Sequence, residues 1–233
     1  MMLLMKAELA KIKRKGFLFL AFLGAFGVVA MQMVNYGVRK EWLMQQNPDY
    51  WQYYLLNIQS FIPIAIVLGG IILTIQITNV EEETNAWKQQ LALPISKKSL
   101  YLAKFLVIFV YLILAASLLF LFTLMYGIFL DFKQPIPFLT IVKESFLPVL
   151  ATLPIIALQL WISVVSKSQT IAITIGIVNF LLTYSAFSFP FPEWAPWRWP
   201  YLGQPLFNIG LGVVAGALLL IVGMYDFYRK DAK

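Results

Sequence analysis

Six long apolar runs, separated by short polar or proline-bearing segments, dominate the chain at residues 17–36, 58–77, 105–130, 146–165, 171–189 and 206–225. Each comes to the roughly 20 residues that a helix needs to cross the hydrocarbon of a bilayer. The third is longer, so that helix is expected to tilt or protrude. The pattern predicts an all-α integral membrane protein, with six transmembrane helices in a single transmembrane domain over 1–233. Residues 1–15 are too short and too charged to span, yet Met2, Met5, Leu9 and Ile12 recur at helical spacing opposite Lys6 and Lys13. They read either as an interfacial helix along the membrane surface or as an ordinary basic flank. No small-residue cleavage site closes the first run, which is expected to be an uncleaved span.

The connections between runs differ in kind. Residues 39–54, with Trp42, Asn47, Pro48, Asp49, Tyr50 and Trp51, read as a turn and an aromatic belt. Residues 131–145 read as a short connection whose prolines discourage a long helix, and 166–170 as a minimal turn. The longest charged segment is 78–104. Thr78 as an N-cap with Glu81 three residues on would form a capping box, and Glu81, Glu82 and Glu83 would sit in a first turn where negative charge is favoured. Val80, Thr84, Trp87 and Leu91 then share one face. Pro94 cannot continue that helix, and Ser96 is placed to cap the next. A short amphipathic helix with a sharp stop is therefore expected between the second and third spans. The bland alternative is an ordinary charged loop with Trp87 resting among lipid headgroups.

A second unusual stretch, 188–205, carries Pro190, Pro192, Pro196, Pro200 and Pro205 interleaved with Phe189, Phe191, Trp194, Trp197, Trp199 and Tyr201. No continuous helix survives that proline density. The aromatics place the segment at an interface, as a plain belt or as a re-entrant cap over a pathway. In the last run Gly212 and Gly216 form a small-xxx-small pair, which permits close helix packing within the chain or across a dimer.

Composition changes the picture chiefly by exclusion. With 61% hydrophobic and 12% charged residues, and a mean hydropathy of +0.78, no soluble globular surface could be built. The chain has no cysteine and no histidine, which removes disulfides, thiolate catalysis and the commonest metal ligand and general base. No catalytic residue, metal ligand or directly bound cofactor is expected. The net charge of +7 is spread over the ends of the runs, so nucleic acid is not an expected partner. Placing both termini in the cytoplasm leaves Arg39, Lys40, Lys133, Lys143 and Arg198 outside and the other 13 of the 18 basic residues inside, as the positive-inside rule favours.

No Asp, Glu, Lys, Arg or His falls within the six runs, which argues against coupling to an ion gradient. No G-x-x-x-x-G-K-[ST] loop is present either, so energy for uphill movement must come from another polypeptide. Scattered amides, Gln32, Asn57, Gln76, Gln159, Asn179 and Asn208, suit an amphiphilic substrate or simply hydrogen-bond helix to helix.

An acidic cluster, then Leu91-Ala92-Leu93-Pro94-Ile95-Ser96-Lys97, then Tyr101 and Lys104 at the head of a span resembles the permease subunits of ABC-2 type exporters. The likeness is strongest to the short permeases of lantibiotic-immunity and bacitracin-resistance transporters. One departure is that Asn85 and Ala86 stand where many members carry a glycine. The resemblance implies that 78–104 is a coupling helix contacting a cytoplasmic ABC ATPase, with ATP and Mg held in that subunit. It also implies that 1–15 is an elbow helix, that 188–205 is re-entrant, and that a second permease completes a homodimer or heterodimer. The setting it implies is the bacterial cytoplasmic membrane, and the substrate a membrane-active peptide antibiotic, exported for immunity or resistance. Two other classes compete: an intramembrane enzyme acting on lipid or peptide, which serines and tyrosines such as Ser163 and Tyr184 do not by themselves make, and a non-transporting scaffold or sensor.

Overall fold

The computed structural model describes residues 1–13, 15–83, 96–166 and 168–229, with the side chains of 81–83 outside that description. Among the described residues the chain is helical: α1 Met2–Ile12, α2 Phe17–Gln46, α3 Tyr50–Gln59, α4 Ile62–Glu83, α5 Lys97–Phe129, α6 Phe138–Ala151, α7 Leu153–Val165, α8 Gln169–Ser188 and α9 Pro205–Arg229, with a 3-10 turn at Trp199–Tyr201. Among the described residues six helical stretches are long and apolar enough to cross a membrane: Phe17–Gln46, Tyr50–Val80, Lys97–Phe129, Phe138–Val165, Gln169–Ser188 and Pro205–Arg229. α5 is the hub, packing against α1, α2, α4, α6 and α9.

The helices overrun the apolar runs. α2 continues to Gln46 through a kink at Arg39 (φ −142°, ψ 39°), so the turn expected over 39–54 shrinks to residues 47–49. Residues 40–46 contain neither glycine nor proline, and nothing in them stops a helix. Asp49 then caps α3, its Oδ1 accepting from Gln52 N at 2.9 Å. α6 starts directly after Pro137 and runs through Pro148, so part of the expected connection 131–145 is helix. The fourth span breaks at Thr152, whose Oγ1 donates to Pro148 O at 2.6 Å, and Pro154 opens α7.

Thr78 is not an N-cap. α4 passes through it unbroken to Glu83, and Thr78, 3% exposed, turns its hydroxyl back to Thr74 O at 3.1 Å and Ile75 O at 2.9 Å. A threonine inside a helix satisfies its hydroxyl on the preceding turn, and with no breaker before it the chain had no reason to restart there. Ser96 stands at the N-cap of α5 with extended backbone and no capping side-chain hydrogen bond.

Gly212 and Gly216 lie where α9 crosses the α6–α7 junction. A Cβ on Gly212 would sit 2.6 Å from Ala151 Cα, and one on Gly216 2.7 Å from Leu153 Cβ. This close approach is inside the chain, and it needs glycine because what it meets is largely backbone.

Candidate coupling end and aromatic end

The six spans place two sets of connections at opposite ends of the bundle. One end holds α1, the starts of α2, α5 and α8, and the ends of α4, α7 and α9. Its organising feature is a buried ion pair. Glu8 on α1 and Lys104 on α5 are each 1% exposed, with Lys104 Nζ 2.9 Å from Glu8 Oε2, and Lys11 pairs with the other carboxylate oxygen. Burial pushes the Glu8 carboxyl up, but the ammonium groups of Lys104 and Lys11 outweigh it and hold the group below its ordinary 4.5. The short helix α1 is thereby anchored to the first turns of α5, the helix that emerges from the charged segment.

Close by, Trp161 Nε1 of α7 donates to Asp226 Oδ2 of α9 at 2.9 Å, and Lys98 lies 4.8 Å from the ring centre of Tyr228. The start of α5, the end of α7 and the end of α9 are thus joined by polar contacts. Of the residues expected to face an ATPase, Trp87, Leu91 and Pro94 lie outside the described residues. Glu81, Glu82 and Glu83 form the last turn of α4, with their side chains outside the description. Sequence reasoning did not single out Glu8. Its signal was present, since Met5, Glu8 and Ile12 fall at intervals of three and four and place a carboxylate on the apolar face of α1.

The opposite end holds residues 47–49, 130–137 and 189–204. The last of these turns repeatedly without forming a helix longer than Trp199–Tyr201: Ala195 N donates to Pro192 O, Arg198 N to Ala195 O and Leu202 N to Trp199 O. Its aromatics are not equivalent. Trp194 is 73% exposed, whereas Trp199 is buried, packs near Ala151 and Leu202, and donates from Nε1 to Glu193 O at 2.8 Å. Trp197 Nε1 donates to Asn179 Oδ1 at 3.0 Å, and Tyr201 OH to Thr183 O at 2.9 Å. Asn179 lies nine residues before the end of α8, about 14 Å along the helix at 1.5 Å per residue. Pro200 is buried, Pro196 half-buried and Pro190 exposed. Two of the amides link helices: Gln32 Nε2 donates to Asn57 O at 3.3 Å and Gln159 Nε2 to Ala172 O at 2.9 Å. Along the bundle's flank an apolar groove of about 310 Å³ runs between α2 and α4, past Leu23, Gly27, Ile64 and Leu68.

Six apolar helices that pack into one helical bundle define a multi-pass membrane protein. A family model described as ABC-2 family transporter protein matches residues 4–183, and the chain belongs to that family. No curated protein and no solved structure matches the chain significantly. Members of the family are generally the non-catalytic membrane subunits of transporters, and the chain is a permease of that kind. The match ends before 188–205 and α9, so those two segments are the part of the chain that family membership describes least.

Proposed function

We propose that this permease works in an ATP-driven exporter, recruiting a separate ABC ATPase through residues 81–94 and moving an amphiphilic substrate, with a membrane-active peptide antibiotic the best match. The observation that carries the reading is the family match over 4–183. It is supported by a sequence with no phosphate-binding loop of its own and by an apolar groove on the flank that suits an amphiphile. Both termini lie in the cytoplasm of a bacterial cell, so the α1 end is the coupling end and the aromatic end is outside. The segment 188–205 acts as a re-entrant outer cap, consistent with Trp197 reaching Asn179. A second permease, identical or different, completes the translocation unit.

The test is co-purification with the ATP-hydrolysing subunit. Trp87→Asp or Leu91→Asp is expected to weaken association by about 2 kcal/mol or more while leaving expression and insertion intact. Unchanged pull-down would return Trp87 to the headgroups. Orientation is read separately on a chain that has no cysteine of its own. Cysteines introduced by Asn47→Cys and Gln134→Cys are expected to react with an impermeant reagent from outside, and one introduced by Gln90→Cys only once the inner face is opened.

A further inference from the structure

α8 carries its large apolar residues outside and its small and polar ones within. Ile173, Ile177, Val178 and Leu181 are exposed, as a lipid-facing surface is, whereas Ala172, Gly176, Asn179, Thr183 and Ala186 are buried at intervals of four, three, four and three. That inner stripe meets α4 and α7 closely. A Cβ on Gly176 would lie 2.6 Å from Ile71 Cγ2 of α4, and Gln159 Nε2 of α7 donates to Ala172 O at 2.9 Å.

The seam is closed, yet it is not satisfied. Among the described residues Gln159 Oε1 is an acceptor without a donor and Asn179 Nδ2 a donor without an acceptor, in side chains 0% and 3% exposed. Buried polar atoms in native proteins are normally met by protein or by water. Gly176 stands close to both: Gln159 Oε1 lies 3.5 Å from its built Cβ, and Asn179 follows three residues on along the same buried face. An orphaned acceptor about one turn from an orphaned donor is a pair that water, which donates and accepts, can serve.

Two side chains of 188–205 cover the aromatic-end mouth of this seam. The ring of Trp197 packs against the cluster of Val67, Ile71 and Ile155 on α4 and α7, and its Nε1 holds Asn179 Oδ1, the other atom of the orphaned amide. Tyr201 OH holds Thr183 O, one turn of α8 further toward the mouth. Trp197 thus plugs the place where α4, α7 and α8 meet, and Tyr201 fastens the turn beyond it.

We propose that Trp197 and Tyr201 are a latch on this seam, and that its release admits water between α8 and the α4–α7 pair as far as Gln159. From Thr183 to Ala172 the stripe runs eleven residues, about 16 Å of polar face inside the bundle. The dry state is held by two neutral hydrogen bonds and one indole contact, and the wet state gains by satisfying Gln159 Oε1 and Asn179 Nδ2. Terms of the same kind oppose each other, so a small change in 188–205 tips the balance. The inference rests on the cap reading of 188–205 given above and deepens it by naming what the cap covers.

The test uses the full chain in nanodiscs and needs no ATPase, cargo or known orientation, so it can fail while the exporter reading stands and hold if no ATPase binds. The chain has no cysteine, and one is introduced by Thr183→Cys, a near-isosteric change at a 0% exposed position. Its rate of reaction with a charged methanethiosulfonate is followed by mass spectrometry. The reagent attacks the thiolate, which forms in water and not in hydrocarbon. The rate is expected to be slow in the otherwise native chain, to rise about fivefold with Trp197→Phe or Tyr201→Phe alone, and about thirtyfold with both, the effect of two neutral hydrogen bonds on an opening equilibrium. Asn179→Leu also breaks the Trp197 bond but gives the seam an apolar wall, and is expected to leave the rate near its native value. Trp199→Phe, whose native indole bonds Glu193 O and not α8, is expected to leave it unchanged. A cysteine placed instead by Leu181→Cys, on the lipid side, is expected to stay unreactive in every background. A fast rate in the native chain, no rise when both donors are removed, or an equal rise with Asn179→Leu, with Trp199→Phe or at position 181 would each overturn the proposal.

Discussion

The two ends of this bundle hold their pieces together by different physics. At the α1 end the fastening is charge: Glu8 and Lys104, both withdrawn from solvent, tie a short helix to the hub helix, with Lys11 beside them. Where 188–205 meets α8 at the aromatic end it is shape and neutral hydrogen bonds, with indole and phenol donors reaching side-chain and backbone oxygens of α8. A buried ion pair is strongly position-dependent, since neither partner tolerates the loss of the other, and it resists sliding or gradual rotation. Neutral contacts of one indole or one phenol are worth about 1 kcal/mol each and can be exchanged singly. The contrast makes the α1 attachment all-or-none and leaves the contacts between 188–205 and α8 separable one at a time.

The largest effect that would break this contrast is at the ion pair. Lys104→Met leaves Glu8 buried with its main partner gone and is expected to cost about 3–5 kcal/mol in thermal unfolding of the purified protein. Glu8→Leu combined with Lys104→Met removes both charges and is expected to recover most of that loss. If the single and double variants are equally destabilised, the pair is not coupled and the α1 end is held by its apolar contacts alone. The same pair has a pH signature. Because the folded Glu8 carboxyl sits below its ordinary 4.5, its contribution is present above that value and is lost as pH falls through the folded one. Detachment of α1 in acid, followed by a fluorophore on residue 5, is expected only below about pH 4.5, and Glu8→Gln is expected to abolish the transition.

An intermediate effect separates packing from fastening. A side chain on Gly212 must enter the backbone of the α6–α7 junction, whereas Gly210, two residues earlier on α9, has nothing within 4 Å of a built Cβ. Gly212→Leu is expected to cost about 2 kcal/mol through overpacking, and Gly210→Leu to stay within about 0.5 kcal/mol. Equal effects would mean that α9 is not seated on the junction as described.

How much of this was readable beforehand follows from where the information resides. Span number and order were legible, because membrane crossing is decided by local apolar length, which each run carries by itself. Helix ends were less so. Thr78 has both the residue type and the spacing of a cap, and only the continuity of α4 around it decides that its hydroxyl turns back onto Thr74 and Ile75. Both readings of Thr78 are local, and local propensity does not choose between them. Glu8 with Lys104, and Asn179 with Trp197, are pairings between distant segments, and nothing in a single chain's spacing announces which amide or carboxylate finds which donor. Glu144 was placed in a connection because Pro135 and Pro137 precede it. Proline is compatible with a helix start, and α6 begins directly after Pro137.

The smallest effect is the one that tests the aromatic end itself. A belt of aromatics works by partitioning into the interface, so its tryptophans would be interchangeable with phenylalanine. Here Trp194 and Trp197 differ in kind: one is 73% exposed, and the other donates to an asparagine that is 3% exposed. Trp197→Phe keeps an aromatic ring but leaves Asn179 Oδ1 without its donor, and is expected to cost about 1 kcal/mol. Trp194→Phe is expected to be neutral within about 0.5 kcal/mol. Combining Trp197→Phe with Asn179→Leu removes both partners, so the double variant is expected to lose less than the sum of the singles, and the measured coupling reports the contact directly. The transport readout follows the same order. Loosening the turn with Pro196→Ala and Pro200→Ala is expected to reduce substrate-stimulated ATP hydrolysis and export more than Trp194→Phe does, with ATPase binding preserved, because a backbone held in shape is what keeps Trp197 within reach of Asn179. Identical behaviour of Trp194→Phe, Trp197→Phe and the proline pair in both unfolding and transport would make 188–205 an anchor in the headgroups, and the comparison between a helix tied by a buried ion pair and a segment seated by neutral contacts on α8 would lose its second half.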